Sequence, residues 1–349
     1  RPIYIISTAA TERCEDSQAA VVTKFHQSLP NYSPTPLVPL LDLAAELGVR
    51  AVFVKDESNR FGLPSFKVLG ASWGCFRAVA QQLKLPPTAS LDEVSTGAKT
   101  SAITLVAATE GNHGRAVAFM ARLLGIDAQI FVPRSMDERT QGFIAGEGAS
   151  VVVSTGCYDQ AVEEASDRAK KLPGALLIQD TAFAGYENVP AWIVEGYSTM
   201  MNETEEQVAQ LSLTTSVMVT PAGVGSLAHA VVRHCKSRQP PVSVVAVEPD
   251  SAPCLFKSLQ AGKSIKVETS STIMDGMNCG TVSTTAWPDL QRLVDACVTV
   301  SSHESHEAVQ FLTSKSVPAG PCGGASLAAL RRLAAEARAS SLLHKDSVV

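Results

Sequence analysis

The feature that most narrows what this 349-residue chain can become is a regular alternation of short β-branched runs with helix-length amphipathic stretches. A strand that leads into a helix and then into another strand can rejoin its sheet only through a crossover, which makes the strands parallel and the crossovers right-handed. The alternation predicts strands at 51–55, 103–107, 128–132, 150–153, 175–179, 217–220, 242–247 and 296–300. Helices are expected at 39–47, 68–82, 114–124, 136–146, 158–170, 191–210, 226–237, 303–313 and 325–339. The class is therefore α/β with a mainly parallel sheet. The stretch 85–100, rich in Pro, Ser, Thr and Gly, reads as an exposed surface excursion.

Length and composition bound the partners. A chain of this size suggests about two domains. With 45% hydrophobic and 18% charged residues it has ample core material and no compositional sign of disorder. Net charge is −5, and Lys and Arg are scattered rather than gathered into a stripe, which argues against nucleic acid and for small ligands. No apolar run approaches ~18 residues, so no membrane-spanning helix is expected. Cysteines 14, 75, 157, 235, 254, 279, 297 and 322 form no C-x-x-C pair and no zinc-spaced grouping, the pattern of a reduced compartment, here the cytoplasm. His303 and His306 lack the spacing that sets two imidazoles on one helix face, and no metal site is expected. Ile3-Tyr4-Ile5-Ile6 is too short for a signal-peptide core, and a first residue of Arg1 rather than Met leaves targeting open. Whether Cys254 and Cys279 pair does not follow from spacing.

Three segments carry chemistry. Lys67 sits in the apolar run Ser65-Phe66-Lys67-Val68-Leu69-Gly70-Ala71. Desolvation there would lower its pKa and free a neutral amine for Schiff-base chemistry; alternatively, its stem snorkels along apolar surface and leaves the charge in water. Thr109-Glu110-Gly111-Asn112-His113-Gly114 follows a strand at its carboxyl end, where α/β proteins bind ligands, and its turn amides suit a carboxylate. Equally, Thr109 or Asn112 is a helix cap. Gly223-Val224-Gly225-Ser226-Leu227 joins a strand to a helix and aims backbone N–H groups at an anion, most naturally a phosphate. Gly223, Gly225 and Ala228 also satisfy G-x-G-x-x-A with Glu248 about 20 residues on, which keeps a nicotinamide-dependent (NAD) dehydrogenase as a remoter alternative.

Taken in order, Ser-Phe-Lys, Thr-Glu-Gly-Asn-His-Gly and Pro-Ala-Gly-Val-Gly-Ser resemble the fold-type II pyridoxal-phosphate enzymes, the tryptophan synthase beta-like superfamily, and within it most nearly the diaminopropionate ammonia-lyases. The resemblance extends through Thr35-Pro36-Leu37, Lys55-Asp56-Glu57-Ser58, Gln179-Asp180-Thr181-Ala182, Gly185-Tyr186 and Glu248-Pro249. It implies two domains, each with a mainly parallel twisted sheet flanked by helices, with pyridoxal 5'-phosphate in the cleft between them. The expected large domain is 1–71 plus 186–349 and the small one 72–185. By the same resemblance Lys67 holds the cofactor, Gly223, Val224, Gly225, Ser226 and Leu227 bind its phosphate, Phe66 and Asn112 meet its ring, and Cys322 stands beside the pyridine nitrogen. Thr109, Gly111, Asn112 and His113 cradle the substrate carboxylate. Glu110 and Asp180 are the working carboxylates, with Asp180 meeting the substrate amine.

The implied reaction is α,β-elimination of 2,3-diaminopropionate to aminoacrylate, then pyruvate and ammonia, by a homodimer. Glu110 stands where the family carries Asp, and one extra methylene moves a carboxylate by about 1.5 Å. Asp275-Gly276, at the substrate, looks more like the dehydratases and racemases, and Phe183 and Ala184 replace an expected Trp and acid. These departures keep a serine or threonine dehydratase, or a β-replacement synthase, as alternatives.

Overall fold

The computed structural model describes residues 2–6, 19–336 and 341–349; Cys14 and positions 337–339 of the last expected helix lie outside them. In chain order the first elements are β1 (Ile3–Ile5), α1 (Ala19–Ser28), β2 (Leu37–Pro39), α2 (Leu41–Leu47), β3 (Phe53–Lys55), α3 (Lys67–Gln82) and α4 (Leu91–Thr100). There follow β4 (Thr104–Ala108), α5 (Asn112–Leu124), β5 (Asp127–Val132), α6 (Glu138–Gly146), β6 (Ser150–Val153), α7 (Tyr158–Lys171) and β7 (Ala175–Leu177). The remainder is α8 (Asn188–Gly196), α9 (Ser198–Gln210), β8 (Val217–Pro221), α10 (Ser226–Ser237), β9 (Ser243–Pro249), α11 (Cys254–Ala261), α12 (Trp287–Leu293), β10 (Ala296–Val300), α13 (Ser302–Ser314) and α14 (Pro321–Ala334). They form two compact units, one of Pro34–Ser58 and Met200–Val349 with the N-terminal strand, the other of Gln18–Ser33 and Asn59–Thr199. The span 72–185 lies wholly inside the second unit, which also takes in Lys67 and Tyr197.

The second unit is built on a four-stranded sheet in the order β6-β5-β4-β7, every pair parallel. Ala161 and Ala165 of α7 pack on Val106, Ala108 and Phe131 on one face. The apolar run after Lys67 forms α3, which buries Val68, Leu69, Trp73, Phe76 and Val79, each worth roughly 1.5–3 kcal/mol of transfer free energy before entropy is charged. Small residues let α8 approach α3 closely. A Cβ on Gly196 would lie 2.6 Å from the Leu69 carbonyl oxygen and 2.7 Å from Gly70 Cα. His26 of α1 locks the same turn, donating from Nε2 to the Leu69 carbonyl at 3.0 Å and accepting at Nδ1 from Thr199 Oγ1 at 2.7 Å.

The first unit carries the sheet β1-β10-β9-β8, in which β10, β9 and β8 run parallel and β1 is antiparallel at the edge. Val245, Val247, Val298 and Val300 form its core with Ala325, Ala329 and Leu333 of α14. A separate hairpin pairs β2 with β3.

Four sequence expectations change. The excursion 85–100 contains α4, closed by a capping box in which Ser90 Oγ accepts from Glu93 N and Glu93 Oε2 from Ser90 N. The helix expected over 191–210 is two, α8 and α9, broken at Tyr197. The helix expected from 325 starts at Pro321, whose fixed φ suits a first helical position, so Cys322 lies in its first turn. The strand expected over 175–179 ends at Leu177, which releases Gln179 and Asp180 to side-chain roles.

Candidate active site

Strands β4 and β7 are neighbours, so the segments that follow their carboxyl ends, 109–114 and 179–182, emerge side by side. The Gln179 amide clamps them: Oε1 accepts from Ala108 N at 3.1 Å and Nε2 donates to Ala108 O at 3.1 Å. Thr109, buried, does what the capping alternative predicts. Its Oγ1 accepts from Gly111 N at 2.9 Å and Gly114 N at 3.0 Å, fixing the entry to α5, while Gly111 stands at φ +146°, a conformation closed to most L-residues. Glu110 and Asn112 are exposed on that turn.

Lys67 opens α3, and its Nζ lies 2.7 Å from Asp180 Oδ2. The lysine side chain is 24% exposed and the aspartate 9%. A carboxylate at hydrogen-bond distance gives the lysine a partner that its apolar neighbours along the chain do not supply. Burial alone would raise the Asp180 carboxyl, but the Lys67 charge and hydrogen bond outweigh it and hold it well below the usual carboxylate range. His113 completes the cluster. Burial pushes its imidazole down, more than the Asp180 charge raises it, and Lys67 adds to the depression, so the ring is neutral near pH 7. Its Nε2–H donates to the Ile178 carbonyl at 2.9 Å, which leaves Nδ1 buried with no hydrogen-bond partner. Phe66 precedes the lysine, its ring edge-on to Tyr197 at 5.2 Å.

The first unit holds the expected phosphate turn. Gly225 caps α10 in the left-handed region at φ +96°, and a Cβ there would come within 2.9 Å of Leu290 Cδ1. The turn is held by Ser283 N donating to Val224 O at 2.8 Å. The 12-residue α10 then points its first amides, which have no partner within a helix, out of the turn with the positive end of its dipole. Gly223 abuts Gly276, since a Cβ on it would sit 3.0 Å from the Gly276 carbonyl oxygen and 3.2 Å from Cys279 Sγ. A Cβ on Gly276 would in turn sit 3.5 Å from Cys322 Sγ. The phosphate turn, Asp275-Gly276 and Cys322 are therefore brought together, with Asp275 exposed. Within the first unit the backbone amides at the start of α10 form a cup that fits a phosphate; within the second an amine on a helix start has near it a buried imidazole nitrogen without a hydrogen-bond partner, a setting that fits an aldehyde.

Glu248 argues against the dinucleotide alternative. It is fully buried, and its carboxylate accepts from Leu255 N and Phe256 N at 2.7 Å each, so it has no freedom to meet a ribose. Burial pushes it up to about 7. Cys254 and Cys279 are both free thiols, and Cys254 Sγ turns to Glu248 Oε1 at 3.4 Å. Among the described residues no His, Cys, Asp and Glu group could hold a metal, and no helix is long and apolar enough to cross a membrane. A cavity of about 300 Å³ lined by Gln81, Tyr186, Asn188 and Trp192 includes none of the expected site residues.

Sequence reasoning missed the Lys67–Asp180 pair and the packing of Tyr197, which depends on the close approach of two helices. No local signal announces either.

The family of the pyridoxal-phosphate dependent enzymes matches residues 29–349. Diaminopropionate ammonia-lyase of Escherichia coli K12 is 35% identical over 278 residues, covering 79% of this chain and 70% of that protein. The crystal structure of the Escherichia coli diaminopropionate ammonia-lyase with D-serine superposes with a TM-score of 0.91 at 30% identity, over 100% of this chain and 92% of the other. The same enzyme with an aminoacrylate–pyridoxal-phosphate azomethine reaction intermediate gives 0.87 at 29% identity, over 100% and 91%. The chain belongs to the pyridoxal-phosphate dependent enzyme family, with the fold-type II architecture, in the group of the diaminopropionate ammonia-lyases.

Proposed function

We propose that this protein is a pyridoxal-phosphate dependent ammonia-lyase that eliminates ammonia from 2,3-diaminopropionate, with water then giving pyruvate and the second ammonia. The single observation that carries the reading is the 2.7 Å contact between the Lys67 ammonium and Asp180, a buried carboxylate that stays ionised. A carboxylate that receives an alkylammonium at this position suits a substrate whose leaving group is itself an amine.

When bound, the cofactor supplies an electron sink that acidifies the substrate Cα–H. The protein residues do the rest. Lys67 would hold the cofactor through its amine and, once released, take the proton from one face of Cα; Glu110 would take it for the other enantiomer. Asp180 would bind and orient the β-ammonium. Thr109, Gly111, Asn112 and His113 would hold the substrate carboxylate, and Asp275 would lie at the substrate. Gly223, Val224, Gly225, Ser226 and Leu227 would hold the phosphate, Phe66 and Asn112 the ring. Cys322 would face the pyridine nitrogen; a thiol does not keep that nitrogen protonated, which moderates the sink and suits elimination. Span 72–185 would act as the small domain. The proposed assembly is a homodimer, open to light scattering, and the free thiols of the described cysteines fit a reducing compartment such as the cytoplasm.

The test is to assay the purified holoenzyme against diaminopropionate, serine, threonine and activated serines, with and without added nucleophiles. Pyruvate is expected first from diaminopropionate; none from that substrate sinks the lyase reading. Lys67→Ala is expected to lose both the activity and the cofactor's visible absorbance, and an unchanged spectrum would remove Lys67 from its role.

A further inference from the structure

Asp180 leaves its sheet from the end strand. In the order β6-β5-β4-β7 no strand lies beyond β7 among the described residues, so the outer edge of β7 has no backbone ladder to close it. A side chain fills the place. The Tyr186 hydroxyl donates to the Leu177 carbonyl at 2.7 Å and accepts from Gln179 N at 2.8 Å. In a parallel ladder the residue opposite Ile178 would donate its N–H to the carbonyl before Ile178 and accept the N–H after it. One phenol oxygen makes both of those contacts. The inner edge is closed as well: Ile178 N donates to Val106 O at 2.8 Å, and the Gln179 amide grips Ala108. With His113 Nε2 on the Ile178 carbonyl, the backbone that delivers Asp180 is engaged on both sides. Tyr186 is itself held by the loop it closes. Its N–H donates to Phe183 O at 2.8 Å across a turn in which Gly185 takes φ +82°, and its ring stacks on Phe183 at 4.9 Å and 19°. The segment from Gln179 to Tyr186 is thus a closed ring that contains Asp180.

We propose that Tyr186 is a positioning residue for Asp180, its hydroxyl standing in for a missing parallel strand opposite Ile178 and so setting the direction from which the carboxylate meets an ammonium. Without that hydroxyl the outer edge of β7 loses both contacts at once, and the carboxylate keeps its charge while its backbone gains freedom. A group that must meet its partner in one geometry is sensitive to such freedom even where the fold is kept. That the ammonium includes the second amine of a diamino acid rests on the lyase reading; that Tyr186 fixes the end of β7 does not.

The experiment compares the holoenzyme of wild type, Tyr186→Phe, Asp180→Asn and the double variant. Phe keeps the ring that stacks on Phe183 and removes only the hydroxyl, and the melting temperature checks that Tyr186→Phe folds. Hydrogen exchange read by mass spectrometry is expected to run about tenfold faster in Tyr186→Phe for a peptide spanning 178–182, and to stay within about twofold for one spanning 104–108. With diaminopropionate, kcat/KM is expected to fall about tenfold in Tyr186→Phe. The double variant should be no slower than Asp180→Asn alone, because the hydroxyl acts through the carboxylate. Unchanged exchange at 178–182, equal acceleration in both peptides, unchanged kcat/KM, or additive losses in the double variant overturn the proposal. Failure of the lyase reading shows differently, as wild type that yields no pyruvate from diaminopropionate; the contrast in exchange then decides the proposal alone.

Discussion

At the scale of the residue, the lysine is defined by its partner more than by its apolar neighbours. Lys67 and Asp180 each sit largely away from water, where removing one charge of a pair weakens the compensation of the other. Replacing Lys67 by Ala takes the ammonium away from a buried carboxylate, and the unfolding free energy of the cofactor-free protein is expected to fall by up to about 3–5 kcal/mol in urea titration. Combining Lys67→Ala with Asp180→Asn removes both charges and should recover a large part of that loss. A double variant as unstable as Lys67→Ala would show that lost packing, not the stranded charge, governs. The same logic explains His113, which stays neutral because burial outweighs the pull of the neighbouring carboxylate.

Elements position these residues through two devices, adjacent parallel strands and a glycine-lined helix crossing. Because β4 and β7 are paired, two motifs some 70 residues apart in the chain end at one edge, where the Gln179 clamp joins residues 71 positions apart. The crossing of α3 and α8 sets Tyr197 beneath the lysine turn. Gly196→Ala would drive a methyl into the Leu69 carbonyl, with no side-chain end to yield, so we expect a loss of about 1–3 kcal/mol read from the urea midpoint, with the cofactor spectrum altered as the lysine turn shifts. Gly142→Ala in α6 is the control: a Cβ there meets nothing within 4 Å, and helix propensity favours Ala by up to about 1 kcal/mol. Equal losses in the two variants would mean that the crossing is not tight.

For the whole molecule, protonation is coupled to stability through Glu248, which is pushed up to about 7 from an ordinary 4.5 by burial, partly offset by the amides of Phe256 and Leu255. A carboxyl with a raised folded pKa binds more protons folded than unfolded, so its favourable contribution is complete below about pH 4.5 and disappears as pH rises through about 7. Relative to Glu248→Gln, the wild-type unfolding free energy is therefore expected to decline by roughly 3 kcal/mol between pH 4.5 and 8 and to level off above; a flat difference would refute a raised value. Asp180, held low, acts in another window, its contribution being lost only as pH falls below the ordinary carboxylate range. Much of this protein was legible in its sequence. The alternation named the parallel sheets, and two strands, at 150–153 and 296–300, fall on the expected bounds. The turn of Gly223 and Gly225 was readable because left-handed backbone and close approach demand glycine whatever surrounds them. The capping box at Ser90 and Glu93 was equally local and was overlooked. By itself the sequence determined what depends on neighbours along the chain: periodicity, turns, helix starts and the chemistry of each side chain. Only the tertiary structure decided that Lys67 meets Asp180 rather than water, that Glu248 serves α11 rather than a ribose, and that Tyr197 lies buried against Gly70 at the crossing of α3 and α8. Each depends on distance and dielectric between residues far apart in the chain, and no local pattern encodes those.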